Sequence, residues 1–169
     1  MSAPLRLAVF VSGSGRSLEN MVLLARERKL DAEVVLVVSS SAKAGAVERA
    51  SRLKLRCSVL ETKGVSPADY AARAFALCDE ARAELVCLAG WLKLLAPIPE
   101  RFRGRVLNIH PALLPSFCGK GFYGDRVHEA VLASGVKVTG CTVHFCDDEF
   151  DHGPIVVQRT CPVFDQDDT

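Results

Sequence analysis

The 169-residue chain is predicted to fold as an α/β domain: a mostly parallel sheet with helices on both faces. Three observations carry this expectation. Short apolar runs alternate with longer amphipathic stretches, so that strand, helix and strand follow one another in repeated order. With 49% hydrophobic and 24% charged residues, the chain is long enough for one domain with a substantial core. No internal repeat, low-complexity tract or linker interrupts it, so residues 1–169 read as a single domain. In order, the first strand spans residues 5–11, and the loop Ser12-Gly13-Ser14-Gly15-Arg16-Ser17 leads into an amphipathic helix at about 18–29. A strand at 34–38 precedes a helix at about 45–53, and a strand at 57–60 precedes a helix at about 68–80. Strands follow at 85–89 and at 106–109, the latter closed by Pro111. A Gly-rich loop at 116–124, a helix at about 126–133, and strands near 138–145 and 155–158 complete the chain.

Charge and cysteine usage narrow the function. Lys plus Arg number 21 against 20 Asp plus Glu, and a net charge of +1 gives no sign of a polyanion-binding surface, so no nucleic-acid partner is expected. The seven cysteines (Cys57, Cys78, Cys87, Cys118, Cys141, Cys146 and Cys161) are odd in number and form no Cys-x-x-Cys pair. Several lie in apolar runs, as small hydrophobes do. Reduced thiols in a cytoplasmic protein are the expectation, with no disulfide framework and no metal site. The start Met-Ser-Ala-Pro-Leu-Arg-Leu carries no basic segment followed by a long apolar core, and no stretch approaches a membrane span.

Chemistry concentrates in two segments, 107–115 and 147–154. Side chains alternate along a strand, so Asn108 and His110 project to one side at the end of the run 106–109. An amide donor and an imidazole facing one way suit a carbonyl whose oxygen becomes negative during reaction. Asp151, in a polar loop before another apolar run, is the carboxylate that would keep the histidine protonated. A lone histidine at a strand end is more often a satisfied structural residue, and an Asp-rich loop before Gly-Pro is usually a solvated turn. The first loop is a second site candidate. Its glycines permit tight turns, and a helix starting at Ser17 would offer free N–H groups and a positive dipole end to a phosphate. Ordinary strand-to-helix turns use the same residues, and neither the Lys of a Walker loop nor a full Gly-x-Gly-x-x-Gly spacing is present.

The string Asn108-Ile109-His110-Pro111-Ala112-Leu113-Leu114-Pro115 resembles the Asn-x-His and Ser-Leu-Leu-Pro block of the formyltetrahydrofolate-dependent formyltransferases. Val143-His144-Phe145, followed by Glu149-Phe150-Asp151-His152-Gly153-Pro154, resembles their second block, in the same order and at about the same spacing. The first loop is similar to the phosphate-binding start of the phosphoribosylglycinamide formyltransferase branch. Methionyl-tRNA formyltransferases differ in that loop and carry an added C-terminal domain; formyltetrahydrofolate deformylases carry a regulatory domain ahead of the core. The resemblance runs from about Leu5 to Asp168 and implies a Rossmann-like formyltransferase fold.

The resemblance also implies a reaction and assigns roles. The reaction is formyl transfer from 10-formyltetrahydrofolate, as cosubstrate, to the amine of glycinamide ribonucleotide, by direct attack and without a covalent enzyme intermediate. Asn108 would donate to the oxyanion, protonated His110 would stabilise it and protonate the leaving nitrogen, and Asp151 would support the histidine and help remove the amine's proton. Gly15, Arg16 and Ser17 match the stretch that holds the substrate phosphate. Leu92, Lys93, Leu94 and Leu95 match the folate-contacting residues, with Asn108 and the loop Asp147, Asp148, Glu149 and Phe150 forming the other wall. Thr142 and His144 share a strand face and would order water there, or would only support the strand.

Two departures from the pattern bear on function. Many family members carry an Arg near Pro67 that binds the folate tail, and this sequence has Ser66-Pro67-Ala68-Asp69-Tyr70. The family's long C-terminal helix, which supplies a Glu to the glycinamide amine, begins where this sequence reaches Thr169. Without it one sheet face would expose apolar surface and promote association, which makes a second copy of the chain a candidate partner. The alternatives are therefore a deformylase, with water as acceptor, and a truncated non-catalytic homologue that binds folate or phosphate.

Overall fold

In the computed structural model, residues 3–169 are described. The elements are β1 (Leu5–Val11), α1 (Arg16–Arg26), β2 (Ala32–Ser39), α2 (Gly45–Arg52), β3 (Cys57–Val59), α3 (Pro67–Glu80), β4 (Leu85–Leu88), a 3₁₀ turn (Glu100–Phe102), β5 (Val106–His110), α4 (Asp125–Ser134), β6 (Val138–Phe145) and β7 (Ile155–Pro162). They form one seven-stranded sheet in the order β3-β2-β1-β4-β5-β6-β7. The five strands from β3 to β5 run parallel, whereas β6 is antiparallel to β5 and β7 to β6.

β1 lies near the middle of the sheet and is buried from both sides. Ala8 and Phe10 face α3 and pack with Ala71, Ala74, Phe75 and Cys78. Leu7, Val9 and Val11 face the other way, against Leu18 and Val22 of α1 and Ala46 and Ala50 of α2. This is the pattern of a strand covered on both faces. The chain moves outward in one direction from β1 to β3 and then returns to place β4 on the other side of β1. In open α/β sheets, ligands bind in the crevice beyond the carboxyl ends of the strands at such a reversal. Here that crevice gathers the loops after β1, β4 and β5. Ser12 Oγ ties the loop after β1 to those after β4 and β2, accepting hydrogen bonds from the Leu92 N–H at 3.2 Å and the Ser40 hydroxyl at 2.9 Å.

Several boundaries differ from the sequence expectation, each for a physical reason. α1 begins at Arg16 and ends at Arg26, because Gly15, in the left-handed region at φ 77°, already caps it. α3 begins one residue earlier than expected. Its Ser66 side chain accepts from the Asp69 N–H at 3.1 Å, and Pro67 occupies the first turn. β7 extends to Pro162 although polar residues dilute its end, since its pairing with β6 runs down to Val138 opposite Pro162. Among the described residues no helix is long and apolar enough to cross a membrane.

Candidate active site

Asn108 and His110 lie on the face of β5 that also carries Val106, in register with Val86 and Leu88 of β4. Pairing with β6 places His144 opposite Asn108 and Thr142 opposite His110, so four polar side chains share one patch at the strand ends. His110 is only 3% exposed, and Thr142 and His144 are buried. Thr142 organises the turn beyond His110. Its hydroxyl donates to the Ala112 carbonyl at 2.7 Å and accepts from the Leu114 N–H at 3.1 Å and from Gln158 Nε2 at 3.0 Å.

Asp151 completes the cluster from the β6–β7 connection. Its Oδ1 lies 3.3 Å from His110 Nδ1, and its Oδ2 accepts from the Gly119 N–H at 2.8 Å. The loop geometry that delivers it is tight: Asp151 has φ 51°, and at Gly153, with φ 107°, an added Cβ would meet the Phe145 carbonyl oxygen at 2.2 Å. On the other side of the ring, His110 Nε2 lies 2.8 Å from the Phe117 carbonyl. Acceptors at both ring nitrogens suit the doubly protonated imidazolium. Burial by itself lowers the histidine's pKa, but the hydrogen bond and charge of Asp151 and the Phe117 carbonyl outweigh it, and the pKa is raised above its ordinary value. For Asp151, burial pushes the pKa up, yet the donors His110 and Gly119 and the histidine's charge bring it below the usual carboxylate value.

Asn108 sits between these groups. Its Nδ2 is 3.1 Å from His144 Nε2 and 3.4 Å from Asp151 Oδ1. His144 Nδ1 faces the carbonyls of Phe145 at 2.9 Å and His152 at 3.2 Å, so Nδ1 is the donor and Nε2 the acceptor for the amide. His144 thereby fixes which end of the Asn108 amide is the donor.

Two cavities meet at this cluster. The larger, about 660 Å³, is lined by Ser17, Gly90, Leu92, Asn108, His110, Phe150, Asp151 and the loop from Gly119 to Gly124. A recess of about 50 Å³ lies behind it, lined by Lys93, Leu94, Leu95, Asp147, Glu149 and Phe150, and it also reaches Asn108 and Asp151. Asp148 stands apart from both. Its Oδ1 accepts from the Ile98 N–H at 2.7 Å and its Oδ2 lies 3.6 Å from Arg103, so it braces the 96–98 turn. Of the first loop, only Ser17 lines the larger cavity. Gly15 is wedged against α2, where an added Cβ would meet Ala46 Cβ at 2.8 Å, and Arg16 is exposed. No side chain caps α1, which leaves its first-turn N–H groups free. The sequence reading did not include Phe117 and Gly119, which act through backbone atoms and have no side-chain signal. It also missed Lys120, Tyr123 and Arg126, which line the larger cavity; of these, Lys120 and Tyr123 were legible only as part of a Gly-rich segment.

The family model described as formyl transferase matches residues 5–169. The chain belongs to the formyl transferase family. Among relatives of this family member, the chloroplastic phosphoribosylglycinamide formyltransferase of Vigna unguiculata is 37% identical over 171 residues, covering 96% of this chain and 53% of that protein. The trifunctional purine biosynthetic protein adenosine-3 of Gallus gallus is 38% identical over 160 residues, covering 94% of this chain and 16% of that protein. The chain thus spans about half the length of the plant relative and a small part of the trifunctional one. Among solved structures, phosphoribosylglycinamide formyltransferase from Bacillus halodurans superposes with a TM-score of 0.89 at 32% identity, covering 96% of this chain and 82% of that one. Glycinamide ribonucleotide transformylase 1 from Symbiobacterium toebii also gives 0.89, at 35% identity, with coverages of 97% and 76%. The formyl transferase fold is the one described above, a single mostly parallel sheet with helices on both faces.

Proposed function

We propose that the chain transfers a formyl group from 10-formyltetrahydrofolate to the amine of glycinamide ribonucleotide, a step of purine synthesis. One observation carries the reading. His110, held between the Asp151 carboxylate and the Phe117 carbonyl, lies beside Asn108 where the two cavities meet. A nucleophile in one cavity and an acyl donor in the other would react at that junction.

In this mechanism the amine nitrogen attacks the formyl carbon, a C–N bond forms, and the carbonyl electron pair moves to oxygen. Asn108 stabilises the oxyanion by exchanging its longer contact, the one to Asp151, for the developing charge, while His144 keeps the amide oriented. His110 gives up the Phe117 carbonyl, shares the oxyanion and passes a proton to the folate nitrogen as the old C–N bond breaks. Asp151 keeps the imidazole charged and, through water, takes the proton lost by the amine. The folate ring is assigned to the recess of Lys93, Leu94 and Leu95 with Asp147, Glu149 and Phe150, and to the Leu92 wall. The substrate phosphate is assigned to the free N–H groups that Gly15 exposes at Arg16 and Ser17. A reducing cytoplasmic compartment fits the seven cysteines, all of which are free thiols.

Turnover with both substrates tests the reading. Formyl transfer that requires the ribonucleotide supports it. Equal loss of the formyl group with water alone would replace it by the deformylase reading, and ligand binding without turnover by the non-catalytic one.

A further inference from the structure

The larger cavity carries two cations that the mechanism above does not use. Lys120 follows Gly119 in the loop after β5, and Arg126 is in the first turn of α4; with Ser17 and His110 they line one space. Among the described residues neither makes an ion pair. Among the described residues the one carboxylate on the cavity wall, Asp151, is committed to His110 and the Gly119 N–H.

Arg126 is also at the wrong end of its helix. Cations are disfavoured near a helix N-terminus, where the dipole is positive, and α4 has Gly124 at its cap with no side-chain oxygen to answer its free N–H groups. Asp125 lies in the same turn but does not line the cavity. The Arg126 guanidinium is nevertheless held, 5.0 Å over the ring of Tyr123. The loop reaches this position through Gly121 at φ 100° and Gly124 at φ 53°, conformations that other residues rarely adopt. A pre-oriented, unpaired guanidinium with a lysine nearby, facing a cavity that ends on uncapped helix N–H groups, is an arrangement for an oxyanion.

We propose that Arg126, positioned by Tyr123 and assisted by Lys120, forms a second anion-binding arm that closes on the phosphomonoester of the ribose-phosphate substrate. This assignment rests on the function proposed above. The glutamate carboxylates of the folate tail present related chemistry, and the phosphate is favoured because Ser17 of the α1 turn lines the same space while Lys93 to Leu95 lie in the recess.

Isothermal titration with ribose 5-phosphate, and with ribose as the uncharged control, reads the arm without any turnover. Arg126→Ala should weaken ribose 5-phosphate roughly 10–100-fold, the loss of one charge-assisted bond, and leave ribose unchanged. Arg126→Lys should recover part of the loss, Lys120→Gln should cost less, and Tyr123→Leu should weaken the phosphate without any change in charge. The three positions changed by these variants are exposed, so native melting is expected and is checked by circular dichroism. Unchanged ribose 5-phosphate affinity in the Arg126 and Lys120 variants would overturn the proposal. So would a rise in folate KM that grows with glutamate number, since that would assign the arm to carboxylates. Should the wild-type protein bind ribose 5-phosphate through Arg126 yet transfer no formyl group, the function falls and the arm stands.

Discussion

Asp151→Asn is the most informative single change, because the carboxylate serves three donors at once: Gly119 N–H at 2.8 Å, His110 Nδ1 at 3.3 Å and Asn108 Nδ2 at 3.4 Å. An amide has one oxygen. Turned toward Gly119, it sets its NH₂ against His110 and Asn108; turned toward His110, it sets its NH₂ against the Gly119 N–H. One arrangement loses the histidine and the other loses the loop. The electrostatic loss can be sized from the 3.3 Å separation. At an effective dielectric constant near 20, Coulomb's law gives about 5 kcal/mol. His110 is 3% and Asp151 11% exposed, so solvent screens little of it, although the cost of burying both groups offsets part. If half of it is realised in the transition state, about 2.5 kcal/mol, turnover falls nearly 10²-fold.

The pH profile gives the sign. The raised His110 pKa places loss of activity on the alkaline limb, so the Asn variant should lose activity at lower pH than the wild type and keep its residual rate on the acid side. Stability follows the same pair. His110, raised from 6.5, contributes fully below that value and loses its contribution as pH rises through the folded value. Asp151, lowered from 3.8, contributes above that value and loses its contribution as pH falls through the folded value. The stability gap between wild type and variant should therefore be widest between 3.8 and 6.5. Steady-state rates across pH, an NMR titration of His110 and thermal melting over the same range measure all three. A native rate profile with an unmoved histidine titration in the Asn variant would refute the pairing.

His110→Ala should lower kcat by roughly 10²–10⁴ with ribose 5-phosphate binding retained, as measured by steady-state kinetics and calorimetry. Gly15→Val forces a β-branched residue to φ 77° and into Ala46, so it should raise KM for the ribonucleotide far more than for the folate; equal rises would point to a folding defect. Inorganic phosphate should compete with the ribonucleotide and not with the folate in inhibition kinetics. Thr142→Val leaves the Ala112 carbonyl and the Leu114 N–H without their partner, and should cost roughly 1–3 kcal/mol in denaturant unfolding.

The alternation of apolar and amphipathic segments was enough to place all seven strands and four helices, because period and burial are local properties of the chain. It also showed that Asn108 and His110 share a face, since that follows from strand geometry alone. What the run of residues could not show is who stands beside whom. Thr142 and His144 reach Asn108 and His110 only through the antiparallel register of β5 and β6, which hydrogen bonding across the sheet sets. Asp151 lies 43 positions from Asn108, and a tight β6–β7 connection delivers it while the neighbouring Asp148 turns away to hold Ile98. The Phe117 carbonyl and Gly119 N–H that clamp the His110–Asp151 pair carry no side-chain signature at all. Nor could composition, balanced at +1, reveal that two unpaired cations face one cavity. Side-chain identity and spacing are written locally, whereas register, loop closure and backbone contacts join distant residues, and they exist only once the sheet has formed.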